Sequence, residues 1–146
     1  MSNWQMNKQC DECPWRSDVA PGQFTVTRFE ALRGCVEQGF ARMFACHKSP
    51  EEDKRACVGY VMNALRPDGP GPQNFNLRHA LGRYIEPEKM TLVGPQYETY
   101  DDMVEATRLV EEARRRKRDK SSSQDRGEAR AGHHPSGDQR LLRRQR

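Results

Sequence analysis

The chain contains no apolar run approaching the ~20 residues that a helix needs to cross a bilayer. Its first residues, Met-Ser-Asn-Trp-Gln-Met-Asn-Lys, lack the apolar centre of a secretory signal. Those absences point to a cytoplasmic protein (the host cytoplasm, if a phage encodes it). Hydrophobic side chains are also scarce, at 34% against the ~45–50% of an ordinary globular domain. There is no phosphate-binding glycine loop, no dinucleotide fingerprint, and no His-Glu-x-x-His or His-x-Glu pair. Nucleotide-loop, Rossmann and zinc-hydrolase chemistry therefore have no foothold. An even cysteine count is missing too, since five leave one unpaired in any full disulfide scheme. Where thiols stay reduced, clustered cysteines are metal ligands or catalytic groups before they are structural bridges.

What the chain does have is charge, 32% of residues, and much of its imbalance sits at one end. From Asp119 onward there are seven Lys/Arg against four Asp/Glu, which accounts for +3 of the overall +4. The remainder is nearly neutral, so composition does not make the body a polyanion binder. We read one small domain over residues 1–113 and a basic tail over 114–146. The tail is too poor in apolar residues to offset its ordering entropy and is expected to be disordered.

Within the body, Thr27 and Glu30 match a capping box, predicting a helix with Phe29, Leu32, Cys35 and Val36 inward and a stop at Gly39. Ser49, Pro50 and Glu52 match a second, which would place Cys57 about two turns inside a helix. Asn76 is a candidate cap for a helix carrying Leu77, Ala80, Leu81, Tyr84 and Ile85. Thr99 caps a last helix with Met103, Val104 and Thr107 inward. Residues 40–46 and 90–93 read as short strands, and residues 1–9 as a loose lead. The fold class is α+β, a small helix-rich domain with a few short strands built around a Cys/His site.

That site starts from Cys-Asp-Glu-Cys-Pro-Trp-Arg at 10–16. Cys10 and Cys13 can share one ion, cluster or disulfide, and Cys46, His47 and Cys57 look like the rest of the same site. Four soft ligands suit Zn2+ or a [4Fe–4S] cluster. Neighbouring side chains in extended chain point apart, so Cys46 and His47 are awkward joint ligands. The first choice is Cys10, Cys13, Cys46 and Cys57, with His47 behind them or in place of Cys57. Trp15 would shield the site, and Arg16 would donate hydrogen bonds toward its excess negative charge. Cys35 lies on an apolar stripe and reads as a core thiol.

With Asp18, Pro21-Gly22, Phe24 and Arg28-Phe29, the Cys10–Arg16 block resembles the opening of domain-of-unknown-function family 6283, small proteins of actinobacteria and their phages. Phe44-Ala45-Cys46-His47, Cys57-Val58-Gly59-Tyr60 and Leu77-Arg78 are similar to its later blocks. The resemblance implies that Cys10, Cys13, Cys46, His47 and Cys57 belong together, and it implies no activity. Three functions compete. One is a non-enzymatic metal-stabilised module that contacts a host or regulatory protein. Another is a redox protein, either an iron–sulfur sensor or carrier or a dithiol enzyme using Cys10 and Cys13. The third is weak nucleic-acid binding through Arg114, Arg115, Arg116, Lys117 and Arg118.

Overall fold

The computed structural model describes residues 4–37, 42–67 and 71–131, with side chains as far as 122. The chain divides into a compact unit, Met1–Glu111, and a second, Glu112–Arg146. The first contains three short helices and the start of a long one: α1 (Val26–Glu37), α2 (Val58–Ala64), α3 (Phe75–Ala80) and α4 (Tyr100–Ala131). No helix among the described residues is long and apolar enough to cross a membrane.

The strands expected at 40–46 and 90–93 are not formed among the described residues. Only isolated bridges remain, Ala45 to Ala56, Gln5 to Ala56 and Lys8 to Thr91 among them. The reason is local. Each extended stretch pairs for one or two residues and then meets a turn, at residues 47–49 on one side and residues 87–89 on the other.

Residues 5–9 are not a loose lead. The amide of Met6 donates to Ala56 O at 3.2 Å and that of Ala56 to Trp4 O at 2.7 Å. Further along, Gln9 N reaches Thr91 O at 2.9 Å and Thr91 N reaches Asn7 O at 2.8 Å. The N-terminal segment thus lies between two later segments as a central extended rung, and Gln5 and Gln9 are buried. Backbone groups so deep need partners, which these pairings supply.

Helix starts shift where a different side chain reaches the free amides first. Thr25, not Thr27, opens α1, its Oγ1 accepting from Arg28 N at 3.1 Å. Asn74, not Asn76, caps α3 by accepting from Leu77 N at 3.0 Å. After Ala80 that helix stops, and Gly82 at φ 73° turns the chain so that Tyr84 becomes exposed and stacks on Trp4 at 4.2 Å. A φ of that sign suits glycine, which has no Cβ to clash. Thr99 caps α4 as expected: Asp102 N donates to Thr99 Oγ1 at 3.1 Å, and Thr99 N donates back to Asp102 Oδ2 at 3.0 Å.

The core gathers Phe29 and Cys35 of α1, Val58, Tyr60 and Val61 of α2, Leu77 and Ala80 of α3, and Met103 and Val104 of α4. Trp15, Phe44 and Tyr100 join it as a run of aromatic contacts, with ring centroids 5.6 Å apart for Trp15–Tyr100 and 6.2 Å for Trp15–Phe44. Cys35 packs here as a buried thiol. The expected helix stop at Gly39 lies outside the described residues. α4 is helical to Ala131, into the segment expected to be disordered, and 132–146 lie outside the described residues.

Candidate metal centre

Cys10 and Cys13 sit on a tight turn, Cys13 N donating to Cys10 O at 3.3 Å and Arg16 N to Cys13 O at 3.1 Å. The other two thiols arrive on the rung that faces it. Cys46 N donates to Arg55 O at 2.8 Å and Cys57 N to Phe44 O at 3.0 Å, so Cys46 and Cys57 leave a single paired stretch on its two sides.

Cys57 is not inside a helix. It is the N-cap residue of α2, because the second capping box never forms. Ser49 spends its hydroxyl otherwise: Oγ donates to Cys46 O at 2.6 Å and accepts from Arg55 N at 3.3 Å. That bonding closes a turn directly after Cys46. The extended geometry that would send Cys46 and His47 apart is therefore absent. Instead the ligand atoms of Cys10, Cys46 and His47 all lie within 4.8 Å of one another.

Cys13 extends the group. Its thiol hydrogen-bonds with that of Cys10 and lies 3.9 Å from the thiol of Cys57. The four thiols form a continuous run in the order 46, 10, 13, 57, and no disulfide joins any of them. Three of the four are buried. His47 packs edge-on against Phe24 at 5.3 Å, and its Nε2 is enclosed with no hydrogen-bond partner among the described residues. Glu12 lies 3.8 Å from that nitrogen, too far for a hydrogen bond, and its carboxylate is paired with Lys48 instead. Burial, then the charge of Lys48, holds His47 below its ordinary pKa, which favours the neutral form that ligates metals.

The thiols are shifted the other way. Cys10 is pushed up to about 11, by its hydrogen bond with Cys13 first and by burial further down. For Cys13 the hydrogen bond from Cys10 favours the thiolate, but the contact with Cys57 and burial outweigh it and push it up to about 12. Cys46 is raised by Cys10 and by burial. Without a metal these groups are protonated at neutral pH, and a bound cation would have to displace those protons.

The pH dependence of the metal-free fold follows from these directions. The unfolded chain gives up its thiol protons near 9, before the folded one does near 11 and 12. The stabilisation is complete below about 9 and is lost as pH rises toward about 12. Buried Tyr60 and Tyr100 are also raised and act in the same direction at still higher pH. Denaturant melts of the metal-free protein are expected to show a midpoint falling steeply through that alkaline window. An unchanged midpoint would mean that the thiols are not clustered.

Around the thiols, Trp15 is buried, and Arg16 is committed elsewhere. Its Nε and Nη2 donate to the two carboxylate oxygens of Asp18 at 2.9 and 2.8 Å. The donor aimed at sulfur is one the spacing argument missed. Gln9 Nε2 lies 3.2 Å from Cys13 Sγ. Gln9 and Gln96 also pair amide to amide at 2.8 and 2.9 Å, and Gln9 Oε1 accepts from Val93 N at 2.9 Å. A glutamine normally reads as surface, and the partner that fixes this one lies 87 residues further along the chain. Gly59, one residue of the Cys57–Tyr60 motif, is where α2 presses on the site. A Cβ there would lie 2.8 Å from Cys13 Sγ and 2.8 Å from Trp15 Cβ.

The basic run 114–118 lies on the exposed surface of α4 in the second unit, where Arg116 pairs with Glu112 at 3.5 Å.

The sequence profile of the family of unknown function DUF6283 matches residues 5–119. Among the curated proteins and among the solved structures, nothing matches the chain. The matched span includes Cys10, Cys13, Cys46, His47 and Cys57, and it covers most of the sequence. The chain is a member of the DUF6283 family.

Proposed function

We propose that this DUF6283 protein is a non-enzymatic, metal-stabilised module whose thiol cluster holds a single zinc ion. The observation that carries the reading is the close approach of donors in two adjoining sets. Four thiolates around one zinc at ~2.3 Å stand about 3.8 Å apart in a tetrahedron. Cys13 and Cys57 are separated by 3.9 Å, and Cys10, Cys46 and His47 share a 4.8 Å neighbourhood. A [4Fe–4S] cube puts a separate iron in front of each thiolate and keeps the sulfurs further apart than one shared ion does. The donor set also fits in kind: soft sulfur, a neutral imidazole with an unpartnered nitrogen, and a buried surround.

Cys10, Cys13 and Cys46 belong to either closed shell, and Cys57 or His47 completes it. A closed shell leaves no open position for substrate, which supports a structural role. The dithiol-enzyme reading asks for a lowered thiol pKa, and Cys10 and Cys13 are shifted upward. The role served by such a module is contact with a partner protein, the zinc holding irregular segments in one conformation.

Anaerobic purification followed by elemental analysis and an absorption spectrum tests this. The expected sample is colourless with one zinc per chain. Iron with a broad visible band would replace the zinc reading with an iron–sulfur one. Metal content of Cys57→Ser and His47→Ala then names the fourth ligand, since only the true ligand's loss should lower it. Full retention of metal in Cys10→Ser and Cys46→Ser would refute the site altogether.

A further inference from the structure

In the second unit α4 runs on to Ala131, and the densest charge of the chain lies on this part of it. Between Ala113 and Ser122 stand six cations, Arg114 to Arg118 and Lys120, against the single carboxylate of Asp119. Every residue of that stretch is exposed.

Two ordinary explanations of such a run do not hold here. Basic side chains complement a helix dipole only within its last turn. Lys120, the last of the six, is about three turns short of Ala131, so the charges lie in mid-helix. Nor do they lace the surface with ion pairs. Arg116 pairs with Glu112 at 3.5 Å, but no ion pair among the described residues involves Arg115, Lys117, Arg118 or Lys120. Arg114 stands four residues before Arg118, and Arg116 four before Lys120, a spacing at which like charges repel. The free helix gains nothing from this arrangement. A partner of negative charge would relieve it.

The distribution of charge round the axis narrows that partner. At ~100° per residue the six cations leave no arc wider than ~100° uncovered. Arg115 and Lys117 stand on nearly opposite sides, as do Arg118 and Lys120. Among residues 113–122 the one apolar side chain is that of Ala113, so the stretch lacks the apolar face with which a helix lies on lipid. An acidic protein surface would meet one side and leave the cations of the other idle. The major groove of B-form DNA instead puts phosphates on both flanks of a helix, and its ~12 Å width matches a helix ~10–12 Å across.

We propose that residues 113–122 of α4 lie in the major groove of duplex DNA and bind the phosphates of both its walls, without regard to base sequence. The stretch has no Asn or Gln to read an adenine edge, which agrees with backbone contact alone. The proposal does not depend on the identity of the metal.

Fluorescence anisotropy of the full-length, metal-replete protein with two labelled DNA duplexes of unrelated sequence tests it. Both duplexes are expected to bind alike, in the micromolar range at low salt, with a log–log salt slope of about −4 to −5. Arg115→Ala and Lys117→Ala, on opposite sides of the helix, should each make that slope shallower by about one. Replacing Arg115, Lys117, Arg118 and Lys120 together by alanine should abolish binding. Since all four are exposed, metal content and melting temperature should stay as they were. No binding at low salt would overturn the proposal, as would full binding in the fourfold variant. An effect confined to Arg115→Ala or to Lys117→Ala would replace groove binding with one-sided docking. Tighter binding to phosphatidylserine vesicles than to DNA would replace it with a membrane surface.

Discussion

Stripping the metal from this protein is expected to lower its melting temperature by more than about 15 °C, and to restore it on return of one equivalent of zinc. The size follows from what surrounds the cluster. Residues 4–25 and 42–57 contain no helix, and their backbone is held by single bridges rather than ladders. Three separate pieces of chain, carrying Cys10 with Cys13, Cys46 with His47, and Cys57, converge there, so an ion joining them closes large loops at once. Structural zinc contributes roughly 10–16 kcal/mol of apparent binding free energy in small zinc domains, most of it expressed as folding. A net loss of ~4 kcal/mol at ~4–8 °C per kcal/mol already gives the stated drop. Cys10→Ser and Cys46→Ser should reproduce the metal-free melt without any chelator. A melt unchanged by exhaustive chelation would reduce the cysteines to packing groups in an ordinary helical core.

Gly59→Ala is expected to destabilise the protein by about 1–3 kcal/mol, although alanine is the better helix former by ~1 kcal/mol. The new methyl would enter space that is already occupied, 2.8 Å from Cys13 Sγ, 2.8 Å from Trp15 Cβ and 2.9 Å from Gln9 Nε2. None of the three can step aside freely. The Trp15 Cβ moves only with its backbone, Cys13 is held among the other thiols, and Gln9 is pinned by Gln96 and Val93. The melting temperature should fall by about 5–20 °C. Zinc affinity should fall with it, because the displaced atom is a proposed ligand. A more stable Gly59→Ala protein would mean that α2 stands further from the Cys-x-x-Cys turn than the structure places it.

The errors in reading helix starts have two causes. Thr27 and Asn76 have the right chemistry for an N-cap but lose to Thr25 and Asn74, each two residues earlier, which reach the free amides of Arg28 and Leu77. Ser49, by contrast, is diverted to a different bond. Its hydroxyl is needed to close the turn behind Cys46, so no helix starts there and Cys57 moves from helix interior to helix cap. Thr99 kept its predicted role because Asp102, three residues on, completes the pair without help from elsewhere. A reciprocal pair such as Thr99 and Asp102 is legible in one dimension, whereas a choice between two cap residues two positions apart, or a hydroxyl claimed by another turn, is not.

Residue types and spacing by themselves determined the family, the helix-rich character, the absence of a long apolar helix, and the list of soft donors from Cys10 to Cys57. Those properties rest on composition and short-range order, which any linear reading contains. Tertiary structure alone decided that residues 5–9 form a central rung, that Cys46 and His47 face the same neighbours, and that Gln9, Gln96 and Gly59 surround Cys13. Each of these depends on groups tens of residues apart meeting in a dry interior. There a hydrogen-bond partner or a missing Cβ outweighs local preference, because the cost of an unsatisfied or overlapping group is larger than any propensity.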